Sequence, residues 1–351
     1  MDIPAKFDKL GRAQIGISRV ERRFWFMDEF DLIHSITPRT IHHSSVDVGI
    51  GDDAALYTAK HGVQEIVCVD TMVEDVHFKL HYSSPEDIGY KALAVNISDI
   101  AAMGGIPKFY LVSLAVPSKW TASEIKAMYE GMNELAKLYQ MDLIGGDTVS
   151  TADKLVVTVT VIGEVEKGQA CLRSLAKPND IVFVTGEIGS SAAGLSLLLE
   201  ETNPQNSSVE TDYFIHRHKR PEPRVSVGRL CSIFKRAALN DVSDGLASEL
   251  NEIAEASCVS IEIDESMLPI HSDLPKLHPN WKEWALFGGE DFELTGTVSN
   301  EEWEVLKQQC AARQLPITKI GHVREKTKSK VILKTDQTSM ILEKKGYNHF
   351  K

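Results

Sequence analysis

The sequence predicts an α+β chain divided into two domains. Its 351 residues exceed the usual reach of a single hydrophobic core. Strand-like and helix-like segments follow one another without a steady βαβ period, which argues against a doubly wound sheet. A run rich in β-branched residues, LVVTVTVIGEV (155–165), closes the first half, and a second half of similar style but different content follows. The boundary is placed near Gly163 to Gln169, giving a mixed-sheet N-terminal domain over 28–165 and an α+β C-terminal domain over 166–351. Residues 1–27 read as an N-terminal extension.

In chain order, QEIVCVD (64–70) reads as a strand ending on a carboxylate. Ser84-Pro85-Glu86-Asp87 opens a helix, with capping-box spacing and proline at the first helical position. That helix runs through Ile88, Ala92, Val95 and Asp99 and stops at Gly104-Gly105. FYLVSLAV (109–116) is a strand, Thr121-x-x-Glu124 caps a second helix, and MDLIGGD (141–147) is a short strand ending in Gly-Gly-Asp. The second half offers the strand IVFVT (181–185), a helix over about 190–200, a polar stretch over 201–212 and a helix after Arg220-Pro221. A strand into Asp241, a helix over 243–257 with Ser243 as N-cap, and strands around Phe292 and Ile320 complete it.

Composition limits the function classes. Fifty acidic against 38 basic residues give a net charge of -12, which disfavours nonspecific binding to nucleic acid or to anionic membranes. A polyphosphate ligand would have to bring a cation with it. The five cysteines (Cys68, Cys171, Cys231, Cys258, Cys310) form no C-x-x-C pair, so neither a zinc knuckle nor a disulfide framework is indicated, and a reducing cytoplasm fits. No run of about 18 apolar residues is present, and the first 27 residues lack a signal-peptide core, so no membrane association is expected.

Five aspartates share a placement. Asp53, Asp70, Asp99, Asp147 and Asp241 each fall at a strand end, a glycine turn or a helix face. Taken singly, each reads as a cap or a solvated turn residue. Taken together, an oxygen-rich set without clustered histidine or cysteine suits a hard cation such as Mg²⁺, held by a few carboxylates, phosphate oxygens and water. In GIGDDAALY (49–57), adjacent side chains of an extended segment point to opposite faces, so only one of Asp52 and Asp53 is expected to face a site, and Asp53 is taken as that one. Gly145-Gly146-Asp147 lets backbone approach a ligand closely, with a plain turn as the competing reading. In DVSDG (241–245), amide groups beside Ser243 offer an anion site, with simple capping as the competing reading. The Walker, kinase and Rossmann glycine motifs are all missing, so phosphate handling must be led by metal.

The ordered set GIGDDAAL, VDTMVEDVHF, YKALAVNISDIAAMGG, LIGGDTVS, VTGEIGSSAAGL, RHKRPEPR, DVSDGLASEL, FGGEDFEL and GYNHF resembles the thiamine-monophosphate kinase family. That family is part of an ATP-binding superfamily with aminoimidazole ribonucleotide synthetase, selenophosphate synthetase and a hydrogenase maturation factor. The match runs from about Asp28 to Phe350; each motif is weak, but the ordered set is specific. The resemblance implies an N-terminal domain that pairs in a homodimer, with ATP as co-substrate and several Mg²⁺ beside it. By position, Asp53, Asp70, Asp99, Asp147, Asp241 and Asp244 would hold metal. Gly146, Asp147, Arg173 and Ser243 would meet ATP, and His77, Glu290 and Tyr347 would line the thiamine monophosphate pocket.

Three departures stand out: Val69 where the family usually has threonine, Asn179 in place of glycine in K-P-G-D, and Asp28-Glu29-Phe30 for G-E-F. The first leaves only a backbone carbonyl at position 69 for any metal contact. No catalytic side chain is expected, because a phosphate monoester acceptor is already anionic and the γ-phosphate can pass to it directly in line. Aminoimidazole ribonucleotide synthetase is the closest enzymatic rival, and a non-catalytic ATP or metal sensor is the rival of another class. A selenophosphate synthetase would need a reactive Cys in a glycine-rich segment, whereas Cys68 lies in an apolar strand.

Overall fold

The computed structural model describes residues 6–7, 13–14, 29–50, 54–199, 209–328 and 330–345. Asp53 and Tyr347, two of the predicted site residues, lie outside this set, as does Asp52. The short strands β1 (Lys6–Phe7) and β2 (Ala13–Gln14) pair with each other, and β3 (Val46–Val48) pairs with β4 (Leu56–Tyr57) after helix α1 (Glu29–Ile36).

The first main sheet contains β5 (Val63–Val73), β6 (Ile106–Pro117), β7 (Asp142–Thr151) and β8 (Val156–Glu166) in the order β5-β8-β6-β7. The sheet is mixed: β6 and β7 are parallel, while β8 pairs antiparallel with both β5 and β6. Its inner face follows from the period of two along β8, where Val157, Val159 and Val161 are fully buried and the alternate residues are half-buried. On the inner face lie α2 (Pro85–Ala102) and α3 (Ala122–Tyr139). Ser84 caps α2 by accepting a hydrogen bond from the Asp87 amide at 3.1 Å, and Thr121 with Glu124 forms the reciprocal capping box of α3.

Two expectations need correction here. Asp70 does not end its strand, because β5 continues to Val73 opposite the β-branched run of β8, with Asp70 facing Val159. Gly145-Gly146-Asp147 is not a turn either, because β7 runs on to Thr151 in register with β6. Gly146 is needed there for close approach: a Cβ on it would sit 2.1 Å from the Val112 carbonyl oxygen.

The second main sheet has the order β10-β12-β9-β13-β11-β14-β15. Its strands are β9 (Ile181–Thr185), β10 (Ala238–Asp241), β11 (Ser260–Asp264), β12 (Leu294–Val298), β13 (Ile317–Arg324), β14 (Val331–Lys334) and β15 (Ser339–Ile341). All pairings are antiparallel except β11 with β14. The accompanying helices are α4 (Ser190–Leu199), α5 (Val209–Lys219), α6 (Val225–Ser232), α7 (Leu246–Ser257), α8 (Leu274–Leu277), α9 (Trp281–Phe287) and α10 (Asn300–Ala312). IVFVT is apolar at successive positions because β9 is covered on both faces: Phe183 joins one core cluster and Val182 and Val184 join the other. Part of the polar stretch forms the start of α5, and the strand expected around Phe292 begins only at Leu294. Phe292 itself takes φ 49°, which breaks extended geometry before the strand starts.

Helix α2 joins the two halves. It packs on β5, β8 and α3 on one side and on α6 and β10 on the other. A helix pressed from several sides must be apolar nearly all round, which explains the small and branched residues of YKALAVNISDIAA. The larger core cluster accordingly runs from Ile97 and Val159 to Phe183, Leu239 and Leu294 without a break between the halves.

Candidate active site

A cleft of about 400 Å³ opens between the two halves, and it collects most of the predicted site. Asp70, Asp99, Asp241, Ser243, Asp244, His77 and Glu290 all line it. On β5, Asp70 shares the helix-side face with Cys68, whose thiol donates to the Asn96 carbonyl oxygen of α2 at 3.3 Å. Asp99 lies one turn beyond Val95 on α2, and both side chains reach the cleft. Asp241 ends β10, is 4% exposed, and accepts a hydrogen bond from the Ser98 hydroxyl at 2.8 Å.

The electrostatics of this group are unfavourable without a cation. Burial, then the charges of Asp241 and Asp70, push Asp99 up to about 8. Burial pushes Asp241 up to about 6, with the nearby Asp70 charge adding to it and the Ser98 hydrogen bond opposing it. Asp70 is raised chiefly by desolvation. Next to them Glu249 is also raised to about 8, by burial and then by Asp241. Among the described residues, no group of three or more His, Cys, Asp or Glu side chains is arranged to hold one ion alone. A set of repelling carboxylates short of a full ligand shell has the chemistry that would suit a hard cation such as Mg²⁺, with phosphate oxygens and water as its further ligands.

Two loops of the second half shape the floor. Gly245 precedes α7 at φ 99°, and a Cβ there would lie 2.7 Å from the Phe287 backbone, so DVSDG and FGGED meet backbone to backbone. Ser243 is not the N-cap expected of it. Helix α7 begins at Leu246 with Gly245 at the cap, and Glu249 reaches back to accept from the Asp244 amide at 3.0 Å.

Behind the cleft, three of the quoted motifs converge. Glu293 of FGGEDFEL is fully buried and accepts from Arg217 Nη2 at 2.6 Å and from Arg224 Nε and Nη2 at 2.7 Å, both from RHKRPEPR. Thr185, just before the GEIGSS loop, donates to it at 2.5 Å. Asp291 accepts the Gly189 and Ser191 amides at 2.6 and 2.9 Å at the start of α4, while burial pushes it up to about 7.

The part of the cleft wall that carries His77 and Glu290 is built from both halves. His77 Nδ1 accepts from the Val73 amide at 3.0 Å, which fixes the ring at the cleft wall. Glu290 sits at φ 67°, a strained conformation for a non-glycine residue, and its amide donates to the Ser243 carbonyl oxygen at 2.7 Å. Lys91 and His218, which the sequence did not single out, contact the Glu290 carboxylate at 3.0 and 3.5 Å. The signal for Lys91 was the lone cation of a helix that is mostly apolar beyond its first turn.

Other predicted residues lie elsewhere. Gly146 and Asp147 are exposed on β7, an edge strand, and do not line the cleft. Arg173 donates to Asn240 at 2.9 Å and pairs with Glu252 at 2.7 Å, one residue away from Asp241 but outside the cleft lining. A separate groove of about 320 Å³ beside α3 carries Arg39, Lys126 and Lys137 and touches none of the predicted residues.

Comparison with known proteins places this geometry. The family model for the AIR synthase related protein N-terminal domain matches residues 51–165, and that for the AIR synthase related protein C-terminal domain matches residues 177–334. Thiamine-monophosphate kinase of Bacillus subtilis (strain 168) is 98% identical over 325 residues, covering 93% of this chain and 100% of that protein. The crystal structure of thiamine-monophosphate kinase from Stenotrophomonas maltophilia K279a is 35% identical with a TM-score of 0.78, covering 88% of this chain and 97% of that one. The structure of AaThiL complexed with AMPPCP and TMP is 32% identical with a TM-score of 0.72, covering 95% of this chain and 100% of that one. With the motifs in order, the fold shared and nearly the full length matched, the chain belongs to the thiamine-monophosphate kinase family.

Proposed function

We propose that this chain phosphorylates thiamine monophosphate to thiamine diphosphate by direct in-line transfer of the γ-phosphate of ATP. The observation that carries the reading is the cleft, where repelling aspartates from both halves face an acceptor wall of His77 and Glu290. The related AaThiL, complexed with AMPPCP and TMP, supports a site that takes both substrates.

The acceptor phosphate is an anion near neutral pH, so the site's task is to position two anions rather than to remove a proton. Asp70, Asp99, Asp241 and Asp244, with Asp53 and Asp147 from the same motif set, are the proposed holders of several Mg²⁺. When bound, these ions neutralise charge between the donor and acceptor phosphates. Gly146, Asp147, Arg173 and Ser243 are assigned to ATP, and His77, Glu290 and Tyr347 to thiamine monophosphate. We assign 28–165 and 166–351 as the two domains and 1–27 as an extension. A homodimer is proposed to form through the outer face of the first sheet, where Val67 and Val69 stand exposed at alternate positions of β5. Five free thiols fit a reducing cytoplasm.

Two-substrate initial rates test the mechanism. Direct transfer gives intersecting double-reciprocal lines and inversion at a chiral γ-phosphorus. Parallel lines, or labelled protein formed with ATP alone and chased into thiamine diphosphate, would overturn it.

A further inference from the structure

Glu290 is held from two directions by groups that do not belong to its own loop. On one side, Lys91 of α2 lies 3.0 Å from Oε1 with its side chain 5% exposed. On the other, His218 at the end of α5 approaches Oε2 at 3.5 Å and shares Nδ1 with the Ser191 hydroxyl at 3.0 Å. The Lys91 ammonium has no well-directed hydrogen-bond partner among the described residues, so the contact is mainly one of charge. His218 is kept neutral by burial and by the Lys91 and Lys219 charges, which push it down to about 2. The cation facing Glu290 is therefore Lys91, which does not itself line the cleft and meets it through that carboxylate.

We propose that Lys91 is a positioning residue for the acceptor: it holds the Glu290 carboxylate in place, aimed into the cleft, and so selects an acceptor carrying a cationic or N–H-donating ring. This rests on the assignment of Glu290 to the acceptor wall. The physical case has three parts. A buried ammonium is strongly disfavoured without a partner, and Glu290 is the carboxylate paired with it. The pair joins α2 of the first half to the FGGED loop of the second, so the carboxylate is aligned by the same packing that forms the cleft. The strained φ of 67° at Glu290 persists because the surroundings over-determine it, and Lys91, His218 and the Ser243 carbonyl oxygen are those surroundings. Thiamine offers the matching chemistry, a thiazolium cation and an aminopyrimidine.

A double-mutant cycle in the full-length enzyme tests this, with KM measured separately for thiamine monophosphate and for ATP. Lys91→Met should raise the KM for thiamine monophosphate by about tenfold, the scale of a lost charge-assisted contact, with the ATP KM unchanged. In a Glu290→Gln background the same substitution should change it by less than about twofold, because the partner through which it acts is already neutral. Lys91→Gln, which keeps an N–H donor without the charge, should fall between wild type and Lys91→Met, and it replaces Lys91→Met in the cycle if that variant does not fold. An equal effect of the Lys91 substitution in both backgrounds, or an equal rise in the ATP KM, would overturn the inference while leaving Glu290 in the acceptor wall. An unchanged KM for thiamine monophosphate in Glu290→Gln alone would overturn the assignment of Glu290 and the inference with it.

Discussion

Replacing Glu293 with glutamine removes one charge from the most heavily bonded carboxylate behind the cleft. Four donors converge on it: one from Arg217, two from Arg224 and one from Thr185, at 2.5 to 2.7 Å. Burial opposes the charge on Glu293, but the Arg224 and Arg217 guanidiniums outweigh it and hold the carboxyl below its ordinary 4.5. Glutamine keeps one acceptor oxygen and turns its NH₂ toward guanidinium N–H groups, so the buried Arg217 loses its counter-charge and Arg224 keeps only the exposed Glu222. Removing one member of a buried ion group costs about 3–5 kcal/mol, a large part of a typical folding stability of about 5–15 kcal/mol.

The pH dependence follows from the sign of the shift. With the folded pKa below the unfolded value, the stabilisation is present above about pH 4.5 and is lost as pH falls through the folded pKa. Urea unfolding followed by tryptophan fluorescence reports on this half through Trp281, Trp284 and Trp303. The midpoint gap between wild type and Glu293→Gln should be full at pH 7 and shrink once the pH drops below about 4.5. A loss under about 1 kcal/mol at pH 7, or a gap that does not change with pH, would refute the argument that this ion group stabilises the fold.

Asp241→Asn should reduce kcat by about a hundredfold or more with normal melting, since only charge at the cleft is removed; a modest loss in kcat would argue against its place at the transferring phosphate. Gly245→Ala forces a side chain against the Phe287 backbone at an unfavourable φ and should lower stability by about 1–3 kcal/mol, read as a shift in urea midpoint. His77→Ala should raise the KM for thiamine monophosphate more than that for ATP, and a selective change in ATP KM would move His77 to the other substrate.

Much of the fold is readable from local patterns because their causes are local. Ser84-Pro85 and Thr121-x-x-Glu124 start their helices through bonds within one turn, and the alternating valines of β8 bury one face by the period of a strand. Motif order likewise determined the family and pointed to Asp70, Asp99, Asp241, Ser243, His77 and Glu290, all of which meet in one cleft. Strand ends were less legible. Asp70 and Asp147 looked like strand-end carboxylates, yet pairing with β8 and β6 carries both strands past them. Whether a strand continues depends on its neighbour's length, which no local pattern contains.

Only the tertiary structure explained the motifs whose partners lie far apart in the chain. RHKRPEPR carries no recognisable chemistry until Arg217 and Arg224 are seen to neutralise Glu293, 76 and 69 positions away. Ser243 passed for a helix cap because the local sequence suits one, but Gly245 and Glu249 take over where the loop must fit against Phe287. Lys91 is the clearest case: in sequence it is the one cation of a mostly apolar helix, and only folding brings it 3.0 Å from a carboxylate 199 residues later. Desolvation is the physical reason. A charge gains meaning when burial leaves it one partner, and the identity of that partner is decided by packing between the two halves.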